Sequence, residues 1–188
     1  SVRECSKMLV ESRDILTEPV GAKYRRVIFT SGATDSNNLA FHGRKILPTM
    51  VSDIEHDSVL FAADAQHRIS VNLDGVVNPT LLEEMLSRRT NPSLISVMLA
   101  NNETGVIQPL HEITSIAHHH GCLVHCDGVQ ALGKMDINMS DLGVDLLSLS
   151  AHKAGGPKGV GALIISDKVK IGPQLIGGGQ EYSLRPGT

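Results

Sequence analysis

Short runs of valine, isoleucine and leucine alternate along the chain with longer segments of helical character, each run ending in a cluster of polar residues. This alternation predicts a parallel sheet with helices packed on its faces, an α/β fold. The predicted strands cover residues 26–30, 49–54, 94–100, 122–126, 144–149 and 161–166, and the predicted helices cover 3–16, 34–44, 58–66, 79–88 and 110–120. Pro79 suits a first helical turn, where its missing N–H costs nothing, and Gly121 suits a helix C-cap. No repeat, low-complexity stretch or obvious linker interrupts the pattern.

The polar clusters carry the functional signal. In open α/β sheets ligands gather at the carboxyl ends of the strands, and here those ends read SGATDSNN, EHDS, NNETG, DGVQ and SAHK in chain order. Five strand ends would line up anion donors, an imidazole, an amide, a carboxylate and a lysine along one rim.

Composition narrows the class. The chain has 188 residues, enough for one substantial core. Its 17 basic and 20 acidic residues give a formal charge of -3 without long runs of either sign, which argues against nucleic-acid and membrane-surface binding. No apolar segment approaches the roughly 20 residues of a spanning helix, and SVRECSKM is charged where a secretory segment would turn apolar. These features predict a soluble, cytoplasmic protein. Three cysteines make no disulfide framework. Cys122 and Cys126, in a strand-like CLVHC, would stand about 13 Å apart, whereas two ligands of one zinc ion lie within about 4 Å. No metal site is expected, and both thiols are expected in the core.

Lys153 follows an apolar strand, neighbours His152 and enters a glycine-rich loop, the setting of a Schiff-base lysine; the competing reading is a solvated surface charge. Residues 31–38 form a small flexible loop before a helix start, where free N–H groups and the helix dipole bind phosphate through Ala33 and Thr34. An ordinary N-cap would read the same way. Asp127 follows a buried strand and needs a cationic or strongly donating partner, such as a protonated pyridine nitrogen, unless it caps the next turn. His56, at another strand end, either stacks on a ring or is simply packed or solvated. His118, His119 and His120 point to different helix faces and do not converge on one ion.

SGATDSNN, EHDSV, LANNETGVIQP, HCDGVQALGK, SLSAHKAGGPKGVGAL and GGGQEYSLRPGT, in this order and over nearly the whole chain, closely resemble the pyridoxal-phosphate-dependent cysteine desulfurases. That group is class V aminotransferase-like and includes selenocysteine lyases. The wording of LANNETGVIQP and HKAGGPKGVGAL is closer to the nitrogen-fixation and iron–sulfur assembly branch. The resemblance implies a three-layer α/β/α fold with a mainly parallel sheet, the large domain of the fold type I transferases, with pyridoxal 5'-phosphate as cofactor. It implies that Lys153 forms the Schiff base, Asp127 keeps the pyridine nitrogen protonated, His56 stacks on the ring, and Gln130 and Asn102 lie at the ring hydroxyl. Ala33, Thr34, Ser150 and His152 match the phosphate-binding set, and Thr188 matches a threonine that reaches the cofactor of the neighbouring subunit in a homodimer. Lys153, His56 and Asp127 are the implied catalytic residues.

The implied reaction takes sulfur from L-cysteine, leaving L-alanine and an enzyme-bound persulfide that passes to a sulfur-acceptor or scaffold protein for iron–sulfur cluster assembly. In the family the accepting cysteine lies on a mobile loop well after the lysine, whereas Cys5, Cys122 and Cys126 all precede Lys153. Residues 1–188 are therefore expected to be the cofactor-binding large domain of a longer enzyme, without its N-terminal arm, its C-terminal small domain and its cysteine loop. The alternatives are a selenocysteine lyase, or a truncated homologue that binds the cofactor or dimerises without turnover.

Overall fold

The computed structural model describes residues 2–22, 25–43, 47–63 and 67–187. Its elements run α1 (Val2–Thr17), β1 (Arg26–Thr30), α2 (Ala33–His42), β2 (Thr49–Ser52), α3 (Asp57–Leu60), β3 (His67–Ile69), α4 (Pro79–Ser87), β4 (Leu94–Ser96), α5 (Leu110–His119), β5 (Leu123–Asp127), α6 (Met139–Leu142), β6 (Leu146–Ser150) and β7 (Gly161–Ile165). One seven-stranded sheet has the order β1-β7-β6-β5-β4-β2-β3. Strands β3, β2, β4, β5 and β6 are parallel, and β7 runs antiparallel between β6 and β1. Two antiparallel pairings in succession leave β1 parallel to β6. The carboxyl ends of β1, β6, β5, β4 and β2 therefore share one edge.

Alternate residues of each strand enter different cores. Met50, Ile95, Val124, Leu147 and Ile164 pack with Leu82 and Leu86 of α4 and Leu110, Ile113 and Ala117 of α5. Val51, Leu94, Leu146, Leu163 and Ile165 pack with Leu39, Ala40 and Phe41 of α2 and Val59 of α3. Both faces are covered, which is why these strands read as continuous apolar runs. Cys122 and Cys126 belong to the first core and are free thiols, as is the exposed Cys5 on α1. Among the described residues no helix is long and apolar enough to cross a membrane.

Boundaries differ where hydrogen bonding changes. The predicted strand 94–100 is regular only to Ser96, although Val97 and Leu99 still donate to His125 and Asp127 carbonyls at 3.1 and 3.0 Å. The predicted helix 58–66 begins at Asp57 and ends at Leu60; Phe61 is exposed, and residues 64–66 fall outside the described set. Pro79 follows an Asn78 cap that accepts from Thr80 and Leu81 N–H, while the C-cap of α5 is His120 and Gly121, at φ 69°, stands one residue beyond it. The three histidines diverge: Nε2 of His118 meets Asp145 and Nε2 of His120 meets Glu83, each at 2.8 Å, while His119 lies edge-on to the His120 ring.

Candidate active site

A cleft of about 810 Å³ opens at the shared carboxyl edge. Ala33, Thr34, His56, Asn102, Asp127, Gln130, Ser150, His152 and Lys153 all line it. Thr188 lies outside the described residues. The volume suits a small-molecule site.

The end of the cleft expected to take an anion is built where β1 turns into α2. Gly32, with φ 145°, precedes the helix, and Ala33 and Thr34 are its first two residues. A Cβ on Gly161 of β7 would stand 2.6 Å from the Gly32 Cα, so the turn lies against a strand that has room only for glycine there. Ser150, buried at the end of β6, meets His152 Nδ1 through its Oγ at 2.8 Å. Lys153 follows on the single 3₁₀ turn Ala151–Ala154, which closes on Gly155 at φ 84°. Lys153 lines the cleft yet is exposed, more open than the strand-end pattern suggested.

Asp127 sits at the end of β5 and is 5% exposed. Its Oδ2 accepts from Asn37 Nδ2 at 3.0 Å and its Oδ1 from the Val129 N–H at 3.0 Å. Burial pushes its carboxyl above the ordinary value of 3.8, opposed by the Val129 and Asn37 bonds and by nearby His56. Two neutral donors leave the carboxylate short of a counter-charge. The same Asn37 Nδ2 reaches Ser58 Oγ at 2.9 Å, and Ser58 Oγ lies 2.9 Å from His56 Nδ1. His56 Nδ1 also accepts from the Ser58 N–H at 3.1 Å.

Asn101 and Asn102 divide the labour after β4. Asn101 donates to the Ile54 carbonyl at 2.9 Å and accepts from Glu103 and Thr104 N–H, shaping the turn, while exposed Asn102 faces the cleft. Gln130 Oε1 accepts from Lys134 Nζ at 2.8 Å.

Beneath the cleft lie two buried titratable groups that sequence reasoning passed over. Glu55 Oε1 accepts from Ser52 Oγ at 2.7 Å and from the Met98 N–H at 2.6 Å, and burial pushes its carboxyl up to about 8. His125, fully buried, bridges Ser96 and Ser148 across three strands at 2.8 and 2.9 Å, and burial lowers it to about 3. Asn37, Ser58 and Met98 were likewise missed as site residues. Asn37 and Ser58 lay inside the quoted motifs, but only the fold shows what they touch. Burial also raises both core thiols, Cys126 well above its ordinary value, so neither is a ready nucleophile.

The cleft thus offers three complements: free N–H groups at the α2 turn that would suit an anion, the buried Asp127 carboxylate that would suit a cation, and the Lys153 amine that would suit an aldehyde. Pyridoxal phosphate meets all three, through its phosphate, its protonated ring nitrogen and its aldehyde.

Comparison with known proteins agrees. A family model described as aminotransferase class V matches residues 2–187. The cysteine desulfurase IscS of Dictyoglomus turgidum is 41% identical over 199 residues, covering 99% of this chain and 50% of that protein. The mitosomal cysteine desulfurase of Trachipleistophora hominis is 39% identical, covering 98% of this chain and 45% of that protein. The X-ray structure of a NifS-like protein from Rickettsia africae superposes with a TM-score of 0.93 at 37% identity, over 100% of this chain and 55% of that one. SspA in complex with cysteine superposes with a TM-score of 0.84 at 36% identity, over 98% and 58%. The chain spans about half the length of the curated relatives it matches. Fold, cleft and sequence identity place it in the class V aminotransferase family, among the cysteine desulfurases of the NifS and IscS type.

Proposed function

We propose that residues 1–188 are the cofactor-binding large domain of a pyridoxal-phosphate-dependent cysteine desulfurase that converts L-cysteine to L-alanine and leaves the sulfur as an enzyme persulfide. The observation that carries this reading is Asp127: a buried carboxylate with only neutral donors, facing the same cleft as Lys153 and the α2 turn. When bound, pyridoxal phosphate supplies an electron sink for charge developing at the substrate Cα.

The protein's own groups divide the remaining work. Ala33 and Thr34 N–H groups, with Ser150 and His152, hold the phosphate. Asp127 would balance the charge on the ring nitrogen, His56 would cover the ring, and Gln130 and Asn102 would meet the ring hydroxyl. Lys153 Nζ would hold the cofactor through its aldehyde, and its amine would serve as the base for the Cα proton. A thiolate other than Cys5, Cys122 and Cys126 accepts the sulfur: Cys122 and Cys126 are buried in the core, and Cys5 lies on α1. The sulfur then passes to an acceptor or scaffold protein for iron–sulfur assembly, in a cytoplasmic homodimer whose Thr188 reaches the neighbouring subunit's cofactor.

The test is direct. The protein is incubated with pyridoxal phosphate, reduced with borohydride, and its modified peptide mapped by mass spectrometry. Modification at Lys153 is expected; modification elsewhere, or none, overturns the assignment. Formation of alanine and persulfide from cysteine separates this reading from a homologue that binds the cofactor without turnover. Selenocysteine as competing substrate separates it from a selenocysteine lyase.

A further inference from the structure

The segment after β7 returns to the anion-binding turn. Glu181, Tyr182 and Ser183 have φ of 47°, 59° and 61°, a left-handed run without glycine that only strong restraint holds in place. Glu181 provides the restraint. Its Oε1 pairs with Arg13 Nη2 and its Oε2 accepts from the Phe29 N–H at 2.8 Å. The Arg13 guanidinium lies 5.0 Å from the Phe29 ring centroid and 5.5 Å from that of Tyr182. The segment is thereby fixed to the β1 edge.

Two residues past this run, Arg185 reaches α2. Its Nε and Nη2 each lie 3.0 Å from Asp35 Oδ2, and Nη2 donates to Ser31 Oγ at 2.7 Å. Asp35 Oδ2 also accepts from the Ser31 N–H at 2.8 Å. Both side chains are largely buried, 21% and 19% exposed, where a charge pair is weakly screened. Asp35 is the third residue of α2, beside Ala33 and Thr34, and it lines the cleft. An uncompensated carboxylate there would repel the dianion that the turn is built to receive.

We propose that Arg185 is a positioning residue for the phosphate end of the site: it neutralises Asp35 and draws that carboxylate back onto Ser31, leaving the first-turn N–H groups of α2 open to a phosphate. This deepens the cofactor reading and rests on it, but it concerns the anion alone.

The experiment uses the intact protein and inorganic phosphate as probe, read by the phosphate-dependent rise in Tm. Arg185→Gln is expected to weaken apparent phosphate affinity about tenfold, the effect of one unbalanced charge beside a dianion. The double variant Asp35→Asn with Arg185→Gln is expected to recover to within about threefold of the parent. Asp35→Asn alone, which tests the idea even if Arg185→Gln fails to fold, is expected to bind phosphate at least as well as the parent. An unresponsive parent, an unaffected Arg185→Gln, a double variant without recovery, or a weakened Asp35→Asn would each overturn the proposal. A second arm compares pyridoxal phosphate with pyridoxal, which lacks the phosphate. Arg185→Gln is expected to impair reductive capture of the first and not the second, and equal impairment also counts against the proposal. Failure of the parent to be modified at Lys153 by either aldehyde refutes the cofactor reading, while the inorganic phosphate series decides the role of Arg185 separately.

Discussion

Asn37 of α2 donates to Asp127 of β5 at 3.0 Å, with the two residues 90 positions apart in sequence. One amide nitrogen serves both Asp127 and Ser58, and Ser58 in turn orients His56. The carboxylate and the imidazole of the cleft are thus set by a common support from α2, whose first turn also lines the cleft.

Removing that support tests it. Asn37→Ala leaves the buried Asp127 with the Val129 N–H as its remaining donor, a cost of about 1–3 kcal/mol for a buried group short of a partner. Urea unfolding should show this loss, and the carboxyl of Asp127 should rise further from its ordinary value, since one of the bonds holding it down is gone.

Glu55 and His125 make stability depend on pH in opposite senses. Glu55 binds its proton more tightly in the native state, about 8 against 4.5, so its contribution is full below pH 4.5 and is lost as pH rises through about 8. Asp127 shifts in the same sense from 3.8. His125 is held neutral, about 3 against 6.5, so its contribution is present above pH 6.5 and is lost as pH falls through about 3. Between pH 4.5 and 6.5 the Glu55 and His125 slopes oppose each other; between 6.5 and 8 Glu55 acts without that opposition. Glu55→Gln should therefore remove a decline of up to about 1.4 kcal/mol per pH unit in the upper window. Unfolding free energies of the two proteins at a series of pH values would show the difference, and parallel curves would refute it.

Neighbouring asparagines should respond differently. Asn101→Ala removes the side chain that builds the turn and should cost about 1–3 kcal/mol of stability. Asn102→Ala should change stability by less than about 0.5 kcal/mol, as an exposed substitution, while weakening capture of the cofactor or substrate. Thermal unfolding and borohydride trapping measure the two effects independently.

Gly161→Ala places a methyl group against the backbone of Gly32. Backbone cannot rotate away as a side chain can, so the turn or the strand must shift, at about 1–3 kcal/mol. The loss should appear both in Tm and in phosphate affinity, because the displaced atoms belong to the anion-binding turn.

The strands buried on both faces were legible because a run such as Leu146–Ser150 has no solvent side to interrupt it. Edge strand β3 was not, since only Ile69 of its three residues is buried and no apolar run marks it. Apolar residues 59–63 suggested a longer helix than α3, yet Phe61 among them is 81% exposed, so the apolar pattern did not follow the buried face. Ser58 and Met98 could not be picked out from the polar strand ends, whereas nine other residues lining the cleft, Ala33, Thr34, His56, Asn102, Asp127, Gln130, Ser150, His152 and Lys153, could. Their supports could not: Asp35 and Arg185 meet across 150 positions and Asn37 and Asp127 across 90, contacts that no local pattern encodes.

Among the described residues, strand β1 hydrogen-bonds in the sheet to β7 alone, pairing Arg26 with Ile165. The residues of the β1–α2 turn are synthesised well before residues 161–165, which supply the strand that β1 pairs with. Loop closure over so long a separation is slow relative to pairing of sequence neighbours. During synthesis the lysine loop, which precedes β7, leaves the ribosome before β1 can dock, so the phosphate end of the cleft is completed only after its amine end has been made. A ribosome-stalled chain exposing nothing beyond residue 158 would hold every residue of the cleft proposed to bind cofactor within the described set, and still lack the strand that brings the two ends together.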